Sequence, residues 1–279
     1  MKRNDELFDA FINEKRAEGR ASTTLLNYNK QLRYFGDYLK RKSVKNLTRD
    51  EAKEYRNYLS ESGRIPSSVN TGLRIVKSFY NFLVNEGHMK SNPFNGIGSI
   101  EEGRREVVAL QEGEAQDLLS VIDNKRDMVL VKLLLTTGMR AIEVRNLKVE
   151  QLGEDVTIIG KGNKQRTIPV QEQVLEDTLD YISSRGINSE YVFCGPSGDR
   201  LGESTIRTII KKYVRKAGLS DKISTHKLRA TFATTLYSEN VDVLMMKDLL
   251  GHESLETTNR YTKINREQKR DAVKNISFY

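Results

Sequence analysis

The sequence predicts a mainly α-helical protein of two domains with one small β-hairpin. Helical apolar periodicity fills the N-terminal third, and a stretch with Pro and several Gly but no apolar period follows it. Further on, a single pair of β-branched runs flanks a Gly-Asn turn among more helical patterns. We therefore expect a helical bundle at residues 1–90, a linker at 91–107 and a mixed α+β domain with a C-terminal tail at 108–279.

Composition is that of a self-folding globular protein: 37% of the 279 residues are hydrophobic and 30% are charged. The chain lacks a signal-peptide pattern and any run near the ~18 apolar residues that span a bilayer. Cys194 is the only cysteine, which excludes an intramolecular disulfide and a cysteine-based metal cage. We expect a cytoplasmic protein that needs neither membrane nor metal.

Positive charge is concentrated in the N-terminal third. The chain carries a net charge of +8, and residues 1–95 hold 18 of its 46 Lys and Arg but only 11 of its 38 Asp and Glu. This excess favours a polyanionic partner. The alternative, that these side chains only solvate helix faces, stays open.

The first domain reads as four amphipathic helices. Thr48 and Glu51 form a capping-box signature for the third, while Pro66 and Gly87 bracket the fourth. The predicted inward faces of the second, third and fourth helices are Leu25, Tyr28, Leu32, Phe35 and Leu39; Ala52, Tyr55 and Leu59; and Leu73, Val76, Phe79, Tyr80 and Leu83.

The second domain alternates helical patterns with one hairpin. Residues 156–160 and 166–170 should pair as strands, with Lys164 at or near the tip, and 191–193 is a candidate short strand. Gly138 should end or bend a buried helix. The helical patterns cover residues 111–122, 127–137, 171–184, 203–217, 225–239 and 242–250.

Five short motifs in this domain carry the chemistry. His226 and Arg229 lie three apart, hence on one helix face, and Gly251 should place His252 at a chain reversal, nine positions before Tyr261. The motifs are TTGMRAIEV at 136–144, GKGNKQRTIPV at 160–170, HKLR at 226–229, LLGH at 249–252 and RYTKI at 260–264. In this order they resemble the motifs of the tyrosine recombinase (phage integrase-like) family, and the chain resembles the Xer recombinases in size and spacing.

This resemblance implies a fold, an activity and a site. The fold would be an N-terminal core-binding (SAM-like) bundle joined to a tyrosine-recombinase catalytic domain. Glu143 would support the first arginine. The implied catalytic residues are Arg140, Lys164, His226, Arg229, His252 and Tyr261.

Each implied residue type suits phosphodiester chemistry. Arg140 and Arg229 would clamp the nonbridging oxygens, because guanidinium groups bind them bidentately. Histidines can donate a hydrogen bond or move a proton near neutral pH, and Lys164 would protonate the departing 5′ oxygen. Tyr261 would attack phosphorus and store the bond as an ester, so that neither ATP, metal nor another cofactor is needed. For Lys164 the simpler role of a phosphate contact stays open.

The resemblance also implies partners. These are double-stranded DNA with a specific recombination site, and three further copies of the chain in a homo-tetramer that exchanges strands through a Holliday junction. Helices carrying Arg33 and Lys40, and Arg74 and Lys77, are candidates for DNA contact. The tail that ends in Ile276, Phe278 and Tyr279 either docks on a neighbouring protomer or folds back on its own domain. We expect a cytoplasmic, nucleoid-associated enzyme.

Several functions fit these motifs. We expect Xer-type chromosome dimer resolution, with a phage or transposon integrase as the alternative. Outside the recombinases, the nearest rival is a type IB topoisomerase, and the rival of another class is a non-catalytic DNA-binding protein on the same fold. The chain departs from the usual family pattern at Ala141, Ile142, Ala230 and Thr235, none of which is an implied catalytic position.

Overall fold

Helices dominate the parts of the chain that the computed structural model describes, which are residues 2–40, 42–103, 109–159, 165–252, 254–255 and 258. The chain divides into two units, Met1–Arg105 and Glu106–Tyr279. Among the described residues, no helix combines the length and the apolar character needed to cross a bilayer.

The first unit is built from four α-helices and a short 3₁₀ turn. Thr48 caps the third helix in a complete capping box with Glu51, and Pro66 is the first residue of the fourth, as predicted. The bounds are α1 Lys2–Ala17, α2 Ser22–Leu39, the 3₁₀ turn Val44–Asn46, α3 Arg49–Glu61 and α4 Pro66–Asn85.

An aromatic core holds this unit together. Phe79 of α4 is fully buried, and its ring meets Phe8 and Phe11 of α1 edge-on at 5.1 and 5.7 Å between centroids. Phe35 of α2 meets Tyr55 of α3 at 4.8 Å. The predicted inward faces are buried except at Tyr28, which is half-buried at the core's edge.

Residues 92–100, inside the predicted linker, pack on the first unit. Phe94 is buried against the rings of Tyr55 and Tyr80. The side chain of Asn70 accepts from the backbone N–H of Ile100 at 2.8 Å and donates to its carbonyl at 2.9 Å. The composition change therefore marks the end of regular helix. The boundaries 1–90, 91–107 and 108–279 remain a prediction.

The second unit consists of helices around one antiparallel hairpin. Helix α6 lies at its centre and packs against α5, α7, α8 and α10. The bounds are α5 Glu112–Ser120, α6 Lys125–Thr137, α7 Ala141–Asn146, the 3₁₀ turn Val149–Gln151, β1 Asp155–Ile159, β2 Gln165–Pro169, α8 Glu172–Ser184, α9 Glu203–Lys216, α10 Thr225–Ser238 and α11 Val243–Leu250.

The predicted hairpin is confirmed, with Ile159 opposite Gln165 and Asp155 opposite Pro169. Both strands bury alternate residues, so that one face of the hairpin joins the core and the other faces solvent. Of the predicted strand at 191–193, only an isolated bridge between Tyr191 and Lys148 forms.

Two glycines end helices where the sequence analysis placed them. Gly138 ends α6 and Gly251 ends α11, both with a left-handed backbone at φ of 61° and 59°. Helix α7, which begins just after Arg140, was not predicted, because six residues are too few for a helical period to be recognised.

Candidate active site

The site begins at the N-terminus of α7, where Arg140 and Glu143 form a reciprocal pair. Glu143 accepts from the Arg140 backbone N–H at 2.7 Å through Oε2 and from its Nη1 at 2.8 Å through Oε1. The Glu143 side chain is 7% exposed, while that of Arg140 is 35% exposed. The predicted support of Arg140 by Glu143 thus corresponds to two hydrogen bonds that hold the arginine at the edge of the core.

A second arginine, Arg166 of β2, binds the same carboxylate as a fork. Its Nη1 and Nη2 donate to Oε1 and Oε2 of Glu143 at 3.0 and 2.7 Å, and its Nε donates to the Leu249 carbonyl at 3.0 Å. Burial by itself would raise the pKa of Glu143. Hydrogen bonds and charge from Arg166 and Arg140 outweigh burial, so that the pKa lies below its ordinary value and the carboxylate stays ionised.

Arg229 of α10 is buried and binds two backbone carbonyls. Its guanidinium donates to Gly138, at the end of α6, and to Leu250, at the end of α11. Arg140 donates from Nη2 to the next carbonyl, that of Gly251, at 3.1 Å. The last carbonyls of a helix have no partner within it and carry partial negative charge. Arginine side chains from α10, the start of α7 and β2 therefore meet at the end of α11.

The turn after α11 brings His252 to this cluster. An added Cβ on Gly251 would lie 2.8 to 3.1 Å from the Arg166 side chain, so both its φ and this contact require glycine. The Nδ1 of His252 lies 2.9 Å from the Oγ1 of the buried Thr258, which fixes the orientation of the ring.

His226 lies in the first turn of α10 with an exposed side chain. Partial burial lowers its pKa from the ordinary value, and the nearby charges of Arg207, Arg229 and Arg140 lower it further. The imidazole is therefore mostly neutral at pH 7 in the absence of an added anion. Arg207 itself pairs with Glu203 on α9.

A cavity of about 1170 Å³ opens beside the cluster. Arg140, Glu143, Arg166 and His252 line it, together with residues of the hairpin and of α11. Positive groups outnumber the one buried carboxylate at this end of the cavity, an arrangement that suits an anion. Within the described part of the chain, no cluster of His, Cys, Asp or Glu could hold a metal ion.

The structure brings together four of the six predicted catalytic residues: Arg140, His226, Arg229 and His252. Lys164 and Tyr261 lie outside the described residues. The sequence analysis missed others that shape the site, namely Arg166, Arg207 and Thr258. For Arg166 a signal existed, since strand alternation places it among the inward positions of β2, where a charge needs a partner.

Comparison with known proteins identifies the class. Residues 109–268 match the phage integrase family, and residues 7–87 match the N-terminal SAM-like domain of phage integrases. The chain belongs to the phage integrase family. It is accordingly a site-specific tyrosine recombinase, which confirms both the predicted fold class and the predicted kind of enzyme.

Two relatives of similar length are tyrosine recombinases. The chain is 30% identical to tyrosine recombinase XerC of Oceanobacillus iheyensis, over 95% of this chain and 93% of the relative. It is 30% identical to tyrosine recombinase XerA of Pyrococcus horikoshii, over 97% and 93%.

Two solved structures share the fold. XerH recombinase bound to a palindromic difH substrate matches with a TM-score of 0.78, at 21% identity over 94% of this chain and 82% of that one. The Tn1549 transposon integrase in complex with transposon right end DNA matches with 0.81, at 17% identity over 97% and 99%.

Proposed function

We propose that this recombinase cuts and rejoins double-stranded DNA at a specific site through a 3′-phosphotyrosyl intermediate. The observation that carries the proposal is the convergence of Arg140, Arg229 and His252 at the end of α11, beside an open cavity. His226 stands in the first turn of α10, three positions before Arg229. These are the residue types that phosphodiester cleavage needs, and each stands in a motif of the family.

In this mechanism Arg140 and Arg229 clamp the scissile phosphate. Attack at phosphorus gathers charge on the nonbridging oxygens, and fixed guanidinium groups stabilise that charge without reorganising. Arg140 is the better placed of the two to meet DNA, because about a third of its side chain remains exposed at the cavity. Arg229 is buried and would act from the floor of the site.

The two histidines have different roles. His226, mostly neutral before DNA binds, can accept the proton that the nucleophile loses. His252, oriented by Thr258, donates a hydrogen bond to the phosphate. A low His226 pKa means that cleavage falls as pH drops below that pKa, since an imidazolium cannot accept a proton.

Lys164 and Tyr261 complete the proposed set. Tyr261 attacks phosphorus, and Lys164 protonates the 5′ oxygen that leaves, so that the freed 5′-hydroxyl can be exchanged for that of another strand. A second hydroxyl then attacks the phosphotyrosyl ester and reseals the backbone. The energy of the broken bond is kept in the ester, and no nucleotide cofactor enters.

DNA and further copies of the chain are the proposed partners. The XerH structure is bound to a palindromic difH substrate, and the Tn1549 integrase structure is in complex with transposon right end DNA. On the first unit, Arg33 of α2 and Arg74 of α4 are exposed. With Lys40 and Lys77 they are our candidates for phosphate contacts, so that affinity should fall steeply with salt. Strand exchange would proceed in a homo-tetramer, and removal of residues 272–279 should weaken its assembly if the tail docks between protomers.

Among biological roles, we favour Xer-type chromosome dimer resolution, in the cytoplasm and on the nucleoid. Support comes from relatives named as Xer recombinases at 30% identity over nearly the whole chain. A mobile-element integrase remains the alternative role. The sequence of the DNA site that the protein cuts would separate the two.

The covalent intermediate gives the decisive test. The DNA site is first identified by incubating the protein with a library of randomised duplexes and sequencing those that it binds. Nicked duplexes that carry it then trap the cleaved strand, and a denaturing gel reports the adduct. We expect the wild-type protein to form the adduct and Tyr261→Phe to form none, with an unchanged Kd for the duplex.

Tyr58→Phe is the matched control, because Tyr58 is exposed on α3 of the first unit. This variant should cleave DNA as the wild type does. An adduct that persists in Tyr261→Phe would move the nucleophile elsewhere. Relaxation of supercoiled DNA that lacks the selected site would contradict the proposed need for a specific site.

A further inference from the structure

We infer that Arg166, on strand β2, is a positioning residue for strand cleavage, which holds Glu143 and through it Arg140 in the geometry that the scissile phosphate requires. This inference rests on the proposed function, since Arg140 has a phosphate to meet only if the protein cuts DNA. Arg166 is not among the residues that the family motifs assign to catalysis.

Arg166 is bound through all three nitrogens of its guanidinium group. Three of its nitrogens donate at 2.7 to 3.0 Å, two to the oxygens of Glu143 and one to the Leu249 carbonyl. Its side chain is only 6% exposed. Protein acceptors take three of its five N–H groups, and its burial leaves the other two little access to DNA. It is a structural cation at the back of the site.

The carboxylate of Glu143 connects the two arginines. Oε1 accepts from both Arg166 and Arg140, and Oε2 accepts from Arg166 and from the Arg140 backbone. Without Arg166, a buried carboxylate would have Arg140 as its only cation, and the two would be free to turn together. With Arg166 in place Glu143 is fixed. Arg140, held at Nη1 by Glu143 and at Nη2 by the Gly251 carbonyl, still has three of its five N–H groups for a phosphate.

The same guanidinium links three elements of the site. It projects from β2, binds α7 through Glu143, and reaches α11 through the Leu249 carbonyl. The Gly251 backbone lies directly against it, where an added Cβ would be within 3.1 Å of its guanidinium carbon. Arg166 therefore also fixes the turn that leads into His252. A lysine at this position could supply the charge but not the fork.

The test compares Arg166→Lys and Arg166→Met with the wild type in single-turnover cleavage of saturating nicked duplex. Misplacing a reacting group by about 1 Å costs roughly 100-fold in rate. We expect about that loss for Arg166→Met, and a smaller loss, about 10-fold, for Arg166→Lys, which keeps the charge. The Kd for duplex DNA should stay within about 3-fold of wild type. Should Arg166→Met not fold, the lysine variant carries the test.

Coupling to Arg140 distinguishes positioning from stability. If Arg166 acts through Arg140, the double variant Arg140→Lys/Arg166→Lys loses less rate than the product of the two single losses. Arg185→Lys is the matched control. Arg185 donates to the carbonyls of residues 187, 189, 191 and 192, and it does not line the cavity. In the double variant Arg140→Lys/Arg185→Lys, the fold-loss of cleavage rate should equal the product of the two single fold-losses.

A second readout needs no DNA. In ¹⁵N NMR spectra of the free protein, the side-chain signals of Arg140 should be resolved in the wild type and in Arg185→Lys, and averaged by rotation in Arg166→Met and Arg166→Lys. Multiplicative losses, or an unchanged rate in Arg166→Lys, overturn the inference. If the wild type forms no adduct, the proposed function fails instead. In that case the NMR spectra still test the structural step. Unchanged Arg140 signals in the Arg166 variants would show that Arg166 does not order the Arg140 side chain.

Discussion

Both units have a buried apolar core, but the core of the first unit and the site of the second are stabilised in different ways. In the first, rings and aliphatic side chains fill the space between four helices, and Phe79 alone meets the rings of Phe8, Phe11, Tyr80 and Phe82. In the site of the second, hydrogen bonds from arginine side chains join the end of α11 to β2, α10 and the start of α7. The first unit excludes water from its centre, while the second keeps charge beside an open cavity.

This difference has consequences for substitution. An apolar core tolerates a change of shape as long as its volume is kept, because dispersion and burial have no direction. A buried ion pair does not, because a lost partner leaves a charge without compensation. We therefore expect the stability of the first unit to depend on the volume of its buried side chains. The site of the second unit should depend on the geometry and protonation state of single side chains.

The largest effect is expected for Phe79→Ala in the first unit. Removing a fully buried phenylalanine costs about 3–5 kcal/mol, whereas Phe79→Leu, which keeps most of the volume, should cost less than about 1.5 kcal/mol. Hydrogen exchange of the α4 amides measures the opening of this unit separately from the other. Equal losses for the two variants would mean that ring geometry, and not volume, stabilises the core.

Glu143→Gln should destabilise the second unit by about 3 kcal/mol at pH 7, because it leaves the buried Arg166 without its counter-ion. The lowered pKa of Glu143 sets the pH dependence. Its stabilising contribution is complete above the ordinary glutamate pKa of ~4.3 and declines as pH falls from there towards the lowered native value. The gap in Tm between wild type and variant should therefore narrow in acid.

Glu190→Gln is the control for that experiment, since Glu190 pairs with Lys148 on an exposed surface where an ion pair contributes little. Its Tm should follow that of the wild type at every pH. A gap for Glu143→Gln that stays constant down to pH 2 would show that the ionised carboxylate is not what stabilises the site.

Local signals in the sequence were sufficient for most of the fold. Leu32, Phe35 and Leu39 recur at helical steps because one face of α2 must be buried, and Thr48 caps α3 through contacts within four residues. Such features depend on neighbours along the chain. The hairpin was equally legible, since alternation of its apolar residues and the turn chemistry agree.

The sequence predicted only part of the site. Family motifs drew attention to Arg140, to its neighbour Glu143 and to Arg229. The two arginines also bind carbonyls that lie 111 and 21 positions away. No periodicity encodes contacts of that kind. Strand alternation marks Arg166 as an inward charge that needs a partner, but that partner, Glu143 of α7, is found only when strand and helix are packed together.

The smallest expected effect compares one glycine from each unit. Gly87 ends α4 and Gly138 ends α6, both at positive φ, so Ala at either position costs about 1–2 kcal/mol of backbone strain. An added Cβ at Gly87 meets nothing within 4 Å, but at Gly138 it would lie 2.3 Å from Cδ1 of Phe232. Gly138→Ala should thus be the more destabilising, and it should also slow cleavage, because the Gly138 carbonyl accepts from Arg229.

A double-mutant cycle separates strain from the clash at Gly138. In Gly138→Ala/Phe232→Ala the ring is absent, so the combined loss of stability should fall short of the sum of the two single losses, and the cleavage rate should rise towards that of Phe232→Ala alone. Additive losses would mean that the turn accommodates a Cβ without moving Phe232. The α6–α10 contact would then accommodate added side-chain volume. The contrast between the two units would be confined to the charged residues of the site.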